Sequence, residues 1–163
     1  MNTAIYPGTF DPVTFGHIDV IQRSAEIFSR VIVAVAQNPA KQPMFTEEER
    51  LRMVRAVVKP FPNVEVDRFG GLLVEYARRK KAGAIVRGLR AISDFEYEFQ
   101  MALTNRKLAG DVTTVFLMPH EKYTYLNSSI VREVARLGGD VSEFVPRSVR
   151  KELLRKMKGL PRT

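Results

Sequence analysis

The chain of 163 residues contains no cysteine, and that absence excludes several kinds of functional site. Disulfides, thiolate metal sites and a cysteine nucleophile all require a thiol, so none of them contributes to the fold or the function here. The other metal-ligating side chains show no convincing spacing for a metal site, and no Ser-His-Asp arrangement can be assembled from the sequence. We therefore expect no metal held by the protein alone.

Long apolar runs are also missing. No run approaches the roughly 20 apolar residues that a membrane-spanning helix needs. The first residues lack a basic segment followed by an apolar one, which is the pattern of a secretory signal. Together with the absence of thiols, these features predict a soluble, cytoplasmic protein with no membrane partner.

Acidic residues are in the minority, because 18 Asp and Glu face 26 Lys and Arg, which gives a formal net charge of +8. Such an excess concentrates anions near the protein, so the candidate partners are nucleic acid, a membrane surface and a phosphorylated small molecule. Much of the excess lies after residue 146. RNA-binding surfaces usually interleave aromatic and basic residues, and residues 147–163 contain no aromatic residue. We therefore interpret this tail as a solvated helix face and expect no nucleic-acid partner.

Five apolar segments alternate with helical patterns, and no repeat, low-complexity segment or linker interrupts them. The predicted strands cover residues 3–6, 31–36, 64–66, 84–86 and 114–118. The predicted helices cover residues 16–29, 46–58, about 72–81, 94–108 and 128–137, with a final basic helix that begins at Pro146. This alternation predicts one α/β domain over residues 1–163, with a doubly wound parallel sheet and C-terminal helices.

Right-handed crossovers and a mononucleotide-binding half-motif predict the Rossmann-like strand order 3-2-1-4-5. Strands 1 and 4 are neighbours in that order, and ligands of such sheets bind in the crevice beyond the carboxyl ends of the strands. The loop of residues 9–17 follows strand 1, and residues 87–90 follow strand 4. We therefore expect the fold itself to bring these two polar clusters together.

The most informative stretch is residues 6–17, which read YPGTFDPVTFGH. We predict that strand 1 ends at Pro7-Gly8, because proline lacks an N–H group and glycine tolerates positive φ. A turn-rich loop then leads into a helix that begins near Gly16. The N–H groups and the positive dipole end of that helix face any bound anion. His17 lies in its first turn and is our main candidate for a catalytic residue.

Basic side chains at strand ends form the second group of candidates. Arg87 and Arg90 flank Gly88-Leu89, and we favour phosphate binding because the planar guanidinium matches phosphate oxygens. The alternative is an ion pair with an acidic residue of the following helix. Lys41, in a proline-flanked loop after strand 2, offers an ammonium group that can reach a transferring phosphoryl group.

Two serines at a helix start and a second histidine are further candidates. Ser128 and Ser129 lie at a helix start, where their hydroxyls and the helix N–H groups can cap the helix, contact a phosphate, or do both. His120, the other histidine of the chain, follows Pro119 without polar neighbours that suggest a site. We interpret His120 as a residue without a functional role.

Ordered motifs along the chain resemble the family of bacterial phosphopantetheine adenylyltransferases, within the nucleotidylyltransferase superfamily that carries the T/HxGH signature. The signature corresponds to Thr14-x-Gly16-His17. The other motifs are NPAKQPMFTxEER at 38–50, IVRGLRA at 85–91, DFEYE at 94–98, VFLMP at 115–119 and SSxVxEVA at 128–135. Neither the P-loop spacing nor G-x-G-x-x-G is present.

The resemblance implies an enzyme that transfers the adenylyl group of ATP to 4′-phosphopantetheine with Mg²⁺, giving dephospho-CoA and pyrophosphate. It implies catalytic roles for His17, Lys41 and Arg90. The implied ATP-binding residues are Thr9, Phe10, His17, Gly88, Leu89, Arg90, Glu98, Tyr123, Thr124, Tyr125, Leu126, Asn127, Ser128 and Ser129. The implied phosphopantetheine-binding residues are Thr9, Lys41, Leu73 and Arg87.

The same resemblance implies a homohexamer, and feedback binding of coenzyme A is plausible because product and inhibitor would share the pantetheine pocket. Asn127 departs from the family pattern, since many members have serine there, but it remains a polar cap. The nucleophile of the implied reaction is a phosphate oxygen that is already anionic, so no strong base is needed. Positioning and preorganised donors suit that task, and we predict direct in-line transfer without a covalent enzyme intermediate.

Two alternatives remain open at this point. The first is another T/HxGH enzyme, such as a cytidylyltransferase or a nicotinamide mononucleotide adenylyltransferase, which would differ in its acceptor pocket. The loop that carries Lys41 and the stretch of residues 87–90 favour phosphopantetheine. The second is a non-catalytic module that binds a nucleotide or RNA through the basic tail.

Overall fold

The computed structural model describes residues 3–37, 42–90 and 92–159, without the side chains of residues 92 and 93. The strands in these ranges are β1 (Thr3–Gly8), β2 (Arg30–Ala36), β3 (Val64–Phe69), β4 (Ala84–Gly88) and β5 (Thr113–Leu117). The helices are α1 (Phe15–Ile27), α2 (Glu47–Val58), α3 (Leu73–Arg79), α4 (Ile92–Leu108), α5 (Ser128–Arg136) and α6 (Arg147–Lys158). A short 3₁₀ helix, Glu121–Tyr123, precedes α5.

The strands form one parallel sheet in the order β3-β2-β1-β4-β5, which confirms the predicted topology. β1 pairs with β2 along its whole length, from Thr3 to Gly8. By contrast, β1 pairs with β4 only at Ala4 and Ile5. β1 and β4 therefore diverge beyond Ile5 and leave a crevice at the carboxyl edge of the sheet, where ligands bind in folds of this kind.

β1 continues through Pro7 and Gly8, so the prediction that the strand ends at this dipeptide is wrong. Pro7 stands opposite Ala34 of β2, at a point where pairing with β4 has already ended. Because only one neighbouring strand remains there, the missing N–H of proline removes less from the ladder than in a fully paired strand. β3 and β4 also run further than predicted, to Phe69 and Gly88.

The central strands are buried on both faces, as their continuous apolar runs predicted. On one face Val31, Val33 and Val35 of β2 pack in a cluster that includes residues of α1, α2, α5 and α6. On the other face Ile5 and Ile32 pack with residues of α3 and of the segment before β5. The two helical layers hold the sheet between them and leave its carboxyl edge open.

Side-chain caps set several helix starts. Thr46 and Glu49 form the capping box that opens α2, and Asn127 accepts a hydrogen bond of 2.9 Å from the Ile130 N–H at the start of α5. α4 begins at Ile92, two residues before its predicted start. None of the described helices is long and apolar enough to cross a membrane.

The basic helix α6 packs on α2. Val149 and Leu153 are fully buried, while Lys156 and Arg155 reach Glu49 of α2 at 2.8 and 3.3 Å. Part of the positive charge is therefore already paired within the protein. The apolar face of α6 is buried and most of its basic residues are exposed, which agrees with the interpretation of the tail as a solvated helix face.

Candidate active site

The loop after β1 forms one wall of the crevice. A Cβ at Gly8 would lie 2.8 Å from the Phe10 ring, so only glycine permits this approach. Phe10 has a φ of 50°, in the left-handed region, and its ring centroid lies 5.5 Å from that of Tyr6 and 5.1 Å from that of His17. The glycine and the positive φ fold the loop back over the strand end and bring Thr9 to the crevice.

Reciprocal hydrogen bonds fix the His17 ring at the start of α1. The Thr14 backbone N–H donates to Nδ1 of His17 at 3.0 Å, and the Thr14 hydroxyl lies 3.0 Å from the same nitrogen. The His17 backbone N–H in turn faces the Thr14 hydroxyl oxygen at 3.4 Å. A backbone amide only donates, so Nδ1 is an acceptor and the proton of the neutral ring is on Nε2. The imidazole therefore keeps one N–H donor for a group other than Thr14.

His17 is neutral at neutral pH. Burial lowers its pKa from the ordinary value of 6.5 to about 3, and the positive charge of Arg90 acts in the same direction. Protonation would place a cation in a desolvated site beside another cation, which is unfavourable. In this structure His17 is thus a neutral hydrogen-bond donor rather than a charged acid.

Arg50 of α2 holds the β1 loop from behind. It is 3% exposed, and its Nη1 donates to the carbonyl oxygens of Thr9 at 2.7 Å and Ala36 at 3.0 Å. Its Nε donates to the Phe45 carbonyl at 3.3 Å. One guanidinium thereby joins the loop after β1, the end of β2 and the start of α2.

Asp11 provides a second anchor for the same loop. Its carboxylate accepts hydrogen bonds of 2.9 Å from the backbone N–H groups of Met44 and Phe45. Arg132 of α5 donates to the Asp11 carbonyl at 2.6 Å, and its Nη1 lies 3.5 Å from the Asp11 carboxylate. The loop is therefore held by groups from three different parts of the fold.

Arg87 and Arg90 form the opposite wall, at the end of β4. Arg87 donates to both carboxylate oxygens of Glu98 in α4, at 2.7 and 2.6 Å. Burial lowers the pKa of Arg87, but the bond and charge of Glu98 outweigh it, so the net pKa is raised. Arg90 donates to the Leu126 carbonyl at 3.0 Å and lies 3.7 Å from the Asp94 carboxylate. The ion-pair alternative thus describes these arginines here, although each guanidinium keeps N–H groups that bond to none of the described residues.

Two cavities open along the crevice and share part of their walls. Their volumes are about 670 Å³ and about 370 Å³. The residues that line both are Thr9, His17, Arg90 and Leu126. A group bound in one cavity would therefore meet a group bound in the other beside the imidazole of His17.

The larger cavity contains most of the residues predicted for ATP. These are Thr9, Phe10, His17, Arg90, Thr124, Tyr125, Leu126, Asn127, Ser128 and Ser129. The start of α5 contributes hydroxyl and backbone N–H groups on one side of this space, and the Ser129 hydroxyl lies 3.1 Å from Nη2 of Arg132. Cationic and N–H groups make this wall suitable for phosphate.

The smaller cavity contains Thr9, Leu73 and Arg87, which were predicted for phosphopantetheine. Its wall combines these arginine and hydroxyl groups with apolar side chains, including Val20 and Phe69. Gly88 and Glu98, which were predicted for ATP, line this cavity rather than the larger one.

Some predicted residues lie elsewhere. Leu89 and Tyr123 line neither cavity; the Leu89 N–H donates to the Leu117 carbonyl, and the Tyr123 ring stacks on that of Phe15. Lys41 lies outside the described residues. His120 is exposed and also lines neither cavity.

Three functional candidates were missed by sequence reasoning: Asp11, Arg50 and Arg132. Arg50 did carry a signal, because it shares the apolar face of α2 with Met53 and Val54, three and four residues later. An arginine on the buried face of a helix needs hydrogen-bond acceptors, and those of Arg50 are backbone carbonyl oxygens. Arg132 carried a weaker signal: it lies one helical turn after Ser129 and therefore on the same face of α5 as this candidate residue.

Candidate metal ligands are sparse. Over the ranges that the structure describes, no group of three or more His, Cys, Asp or Glu side chains is placed to hold a metal ion. In the larger cavity Asp11 is already bonded to two backbone N–H groups, whereas among the described residues the Asp94 carboxylate has only the long contact with Arg90. Any divalent cation in this cavity would depend mainly on ligands from a bound phosphate.

Comparisons with known proteins agree with this geometry. Residues 5–134 match the cytidylyltransferase-like family. The chain is 58% identical to the phosphopantetheine adenylyltransferase of Caldanaerobacter subterraneus subsp. tengcongensis over 158 residues, covering 97% of this chain and 99% of the relative. It is also 58% identical to the phosphopantetheine adenylyltransferase of Alkaliphilus metalliredigens over 156 residues, covering 96% and 99%.

Among solved structures, the nicotinic acid mononucleotide adenylyltransferase of Plasmodium falciparum in complex with NaAD superposes with a TM-score of 0.71, covering 94% of this chain and 95% of that one. The sequence identity is 12%, so this likeness concerns the fold. The match of the family model and the identity to curated relatives together establish the family. The chain is a member of the phosphopantetheine adenylyltransferases, a family of nucleotidyltransferases within the cytidylyltransferase-like group.

Proposed function

We propose that this protein transfers the adenylyl group of ATP to 4′-phosphopantetheine, forming dephospho-CoA and pyrophosphate. The observation that carries the proposal is the shared wall of the two cavities, where Thr9, His17 and Arg90 face both spaces. Two substrates held in adjoining cavities can react directly, and the names of the relatives supply the identity of those substrates.

In this proposal ATP occupies the larger cavity. The start of α5 offers N–H and hydroxyl groups, and Arg90 and Arg132 offer positive charge, all on the walls of that space. Such donors suit a triphosphate chain and, in particular, the pyrophosphate that leaves.

Phosphopantetheine occupies the smaller cavity. Its phosphate is placed near Arg87 and Arg90, while Leu73 and Phe69 line the remainder of the space for the uncharged arm. Lys41 stays a predicted ligand of this phosphate. The smaller cavity therefore has a cationic end and partly apolar walls. This combination suits an acceptor that carries a phosphate at one end only.

The reaction needs little covalent chemistry from the protein. A phosphate oxygen of the acceptor attacks the α-phosphorus of ATP, the bond from that phosphorus to pyrophosphate breaks, and no proton has to be removed first. Charge accumulates on the α-phosphate oxygens during the transfer, and in this proposal the Nε2–H of His17 donates to one of them, which is supported by the occupation of Nδ1 by the Thr14 N–H. The low pKa of His17, about 3, keeps this donor neutral, and the Thr14 N–H that donates to Nδ1 holds the ring in one tautomer.

Magnesium is proposed to arrive with ATP. The donor set of the larger cavity fits this role, because Asp94 is the carboxylate least engaged by other groups and Mg²⁺ is usually held by few carboxylates together with substrate phosphates. When bound, the ion would neutralise charge on the phosphates. The chain's own residues would then orient the two substrates.

We also propose a homohexamer and a coenzyme A site that overlaps the smaller cavity. The exposed apolar side chains of α4, among them Phe95, Phe99 and Leu103, support burial against another subunit. A cytoplasmic location stays a prediction from composition.

The proposal is tested by pyrophosphate release from ATP and Mg²⁺ with 4′-phosphopantetheine. Nicotinamide mononucleotide, and CTP with glycerol 3-phosphate, serve as matched controls because their enzymes share the T/HxGH signature. We expect release with phosphopantetheine alone. Release with a control pair instead would keep the reaction class and overturn the acceptor, and no release from folded protein with any pair would favour a binding module.

A further inference from the structure

Tyr6 contributes a hydroxyl group that neither the fold nor the predicted site explains. The residue lies in β1 and is 6% exposed, with its ring packed edge-on against Phe10. Its hydroxyl makes no hydrogen bond with any residue that the structure describes. The hydroxyl of a buried tyrosine usually has a hydrogen-bond partner, and packing alone does not require this one, because phenylalanine would fill the same space.

The hydroxyl faces the smaller cavity. Among the described residues, no buried side-chain oxygen or nitrogen is both inaccessible and unpartnered, so the Tyr6 hydroxyl retains access to open space. Tyr6 lines the smaller cavity and not the larger one. A Cβ built on Gly88, another wall residue, would lie 3.6 Å from this hydroxyl, which places it where β1 and β4 diverge.

The surroundings of this hydroxyl favour an anionic ligand. Burial raises the pKa of Tyr6 to about 12, against the opposing effect of the charges of Arg87 and Arg90. The group is therefore a neutral O–H donor at any physiological pH. It stands among the same arginines that line the proposed acceptor pocket.

We infer that the Tyr6 hydroxyl donates a hydrogen bond to the phosphate of the acceptor in the smaller cavity, as a substrate-binding residue. This inference rests on the proposed function. It adds a neutral donor to the cationic groups and gives a reason for tyrosine at a core position of β1. A hydrogen bond to an ionised partner is worth more than one between neutral groups.

The test compares Tyr6→Phe with wild type by isothermal titration calorimetry, using 4′-phosphopantetheine and pantetheine as the two ligands. We expect Tyr6→Phe to weaken phosphopantetheine binding about tenfold or more. Pantetheine lacks the phosphate, so its affinity should be equal in the two proteins. The KM for ATP should not change, because Tyr6 does not line the larger cavity.

Tyr76→Phe is the matched control. It removes a hydroxyl that donates to Asp67 at 2.8 Å and lies outside both cavities, so phosphopantetheine affinity should be that of wild type. A second measurement needs no variant: the ¹³Cζ resonance of Tyr6 should shift when wild type binds phosphopantetheine and should stay in place with pantetheine.

Equal phosphopantetheine affinity of wild type and Tyr6→Phe, with no shift of the Tyr6 resonance, would overturn the inference. An equal loss for both ligands would also overturn it, because the hydroxyl would then contact the arm rather than the phosphate. Failure of the proposed function looks different, since wild type itself would then neither bind phosphopantetheine nor release pyrophosphate with it.

Discussion

The two walls of the crevice are held by different kinds of interaction. The β1 wall is fixed by hydrogen bonds to backbone groups: Arg50 reaches the carbonyl of Thr9, and Arg132 reaches that of Asp11. The β4 wall relies more on ion pairs between side chains, in which Glu98 holds Arg87 and Asp94 approaches Arg90, although Arg90 also donates to the Leu126 carbonyl. A bound phosphate can compete for a side-chain cation far more easily than it can displace a backbone anchor.

This difference suits the two tasks of the site. In the proposed reaction the imidazole of His17 has to occupy one position in every turnover, and the β1 wall fixes that position through Thr14 and the loop anchors. In the proposed reaction, the arginines of the β4 wall bind an anion and release it again. Ion pairs with nearby carboxylates keep them oriented when no phosphate is present and leave other N–H groups for the ligand.

The largest effect is expected at the rigid wall. His17→Ala removes the Nε2–H donor, and kcat should fall by about 10²–10³-fold, the usual loss when one preorganised donor to a transition state is removed. The KM for ATP should change little. The measurement is steady-state pyrophosphate release, with His120→Ala as the control because His120 is exposed and lines neither cavity. Equal losses in ATP binding and kcat would instead indicate a role in binding or folding.

Removing the backbone anchor should mainly lower stability. Arg50→Ala removes the donor to one buried and two partly buried carbonyl oxygens and should lower the free energy of unfolding by about 3 kcal/mol. Arg52→Ala, on the exposed side of the same helix, should stay within about 0.5 kcal/mol of wild type. Urea denaturation of the three proteins measures both values. Similar losses in the free energy of unfolding for the two variants would show that Arg50 stabilises the protein no more than an exposed arginine does.

A smaller effect is expected at the β4 wall. Glu98→Gln removes the negative charge that orients Arg87, so the KM for phosphopantetheine should rise about 3- to 10-fold while kcat stays near that of wild type. Glu96→Gln changes the same charge at an exposed position of α4 and should have no effect. A lower KM in Glu98→Gln would mean that Glu98 competes with the substrate for Arg87 instead of orienting it.

The smallest change concerns pH. Because burial lowers the pKa of His17 to about 3, the ring should show no titration between pH 5 and 8 in nitrogen-15 NMR spectra and should keep its proton on Nε2. The unfolded chain binds this proton below about 6.5, so the contribution of His17 to stability is complete above that pH and declines as the pH falls towards 3. His120→Gln leaves one imidazole in the spectrum. A titration of that imidazole near neutral pH would contradict the neutral state of His17.

Much of the architecture could be predicted from the sequence. The alternation of strands and helices was enough for the order 3-2-1-4-5, because continuous apolar runs mark strands buried on both faces and crossovers are right-handed. The same reasoning brought residues 9–17 and 87–90 to one edge. The end of β1 was predicted wrongly, since the tolerance of Pro7 depends on where pairing with β4 stops and not on local sequence.

The contacts that hold the site were less accessible to sequence reasoning. Arg50 and Arg132 act on carbonyl oxygens 41 and 121 positions away, and a backbone carbonyl carries no residue-specific signal. For Arg87 the sequence left two alternatives, an ion pair with the next helix and a bound phosphate. The geometry shows the ion pair with Glu98 and leaves the phosphate role as a proposal.

The direct transfer that we propose between adjoining cavities has a stereochemical consequence at the α-phosphorus of ATP. ATP with a single sulfur on that phosphorus and known configuration is converted with phosphopantetheine, and the configuration of the thio-substituted dephospho-CoA is determined by phosphorus-31 NMR. One in-line displacement beside His17, Thr9 and Arg90 predicts inversion. Retention would require two displacements through an adenylylated enzyme and would contradict a site in which the two substrates react with each other.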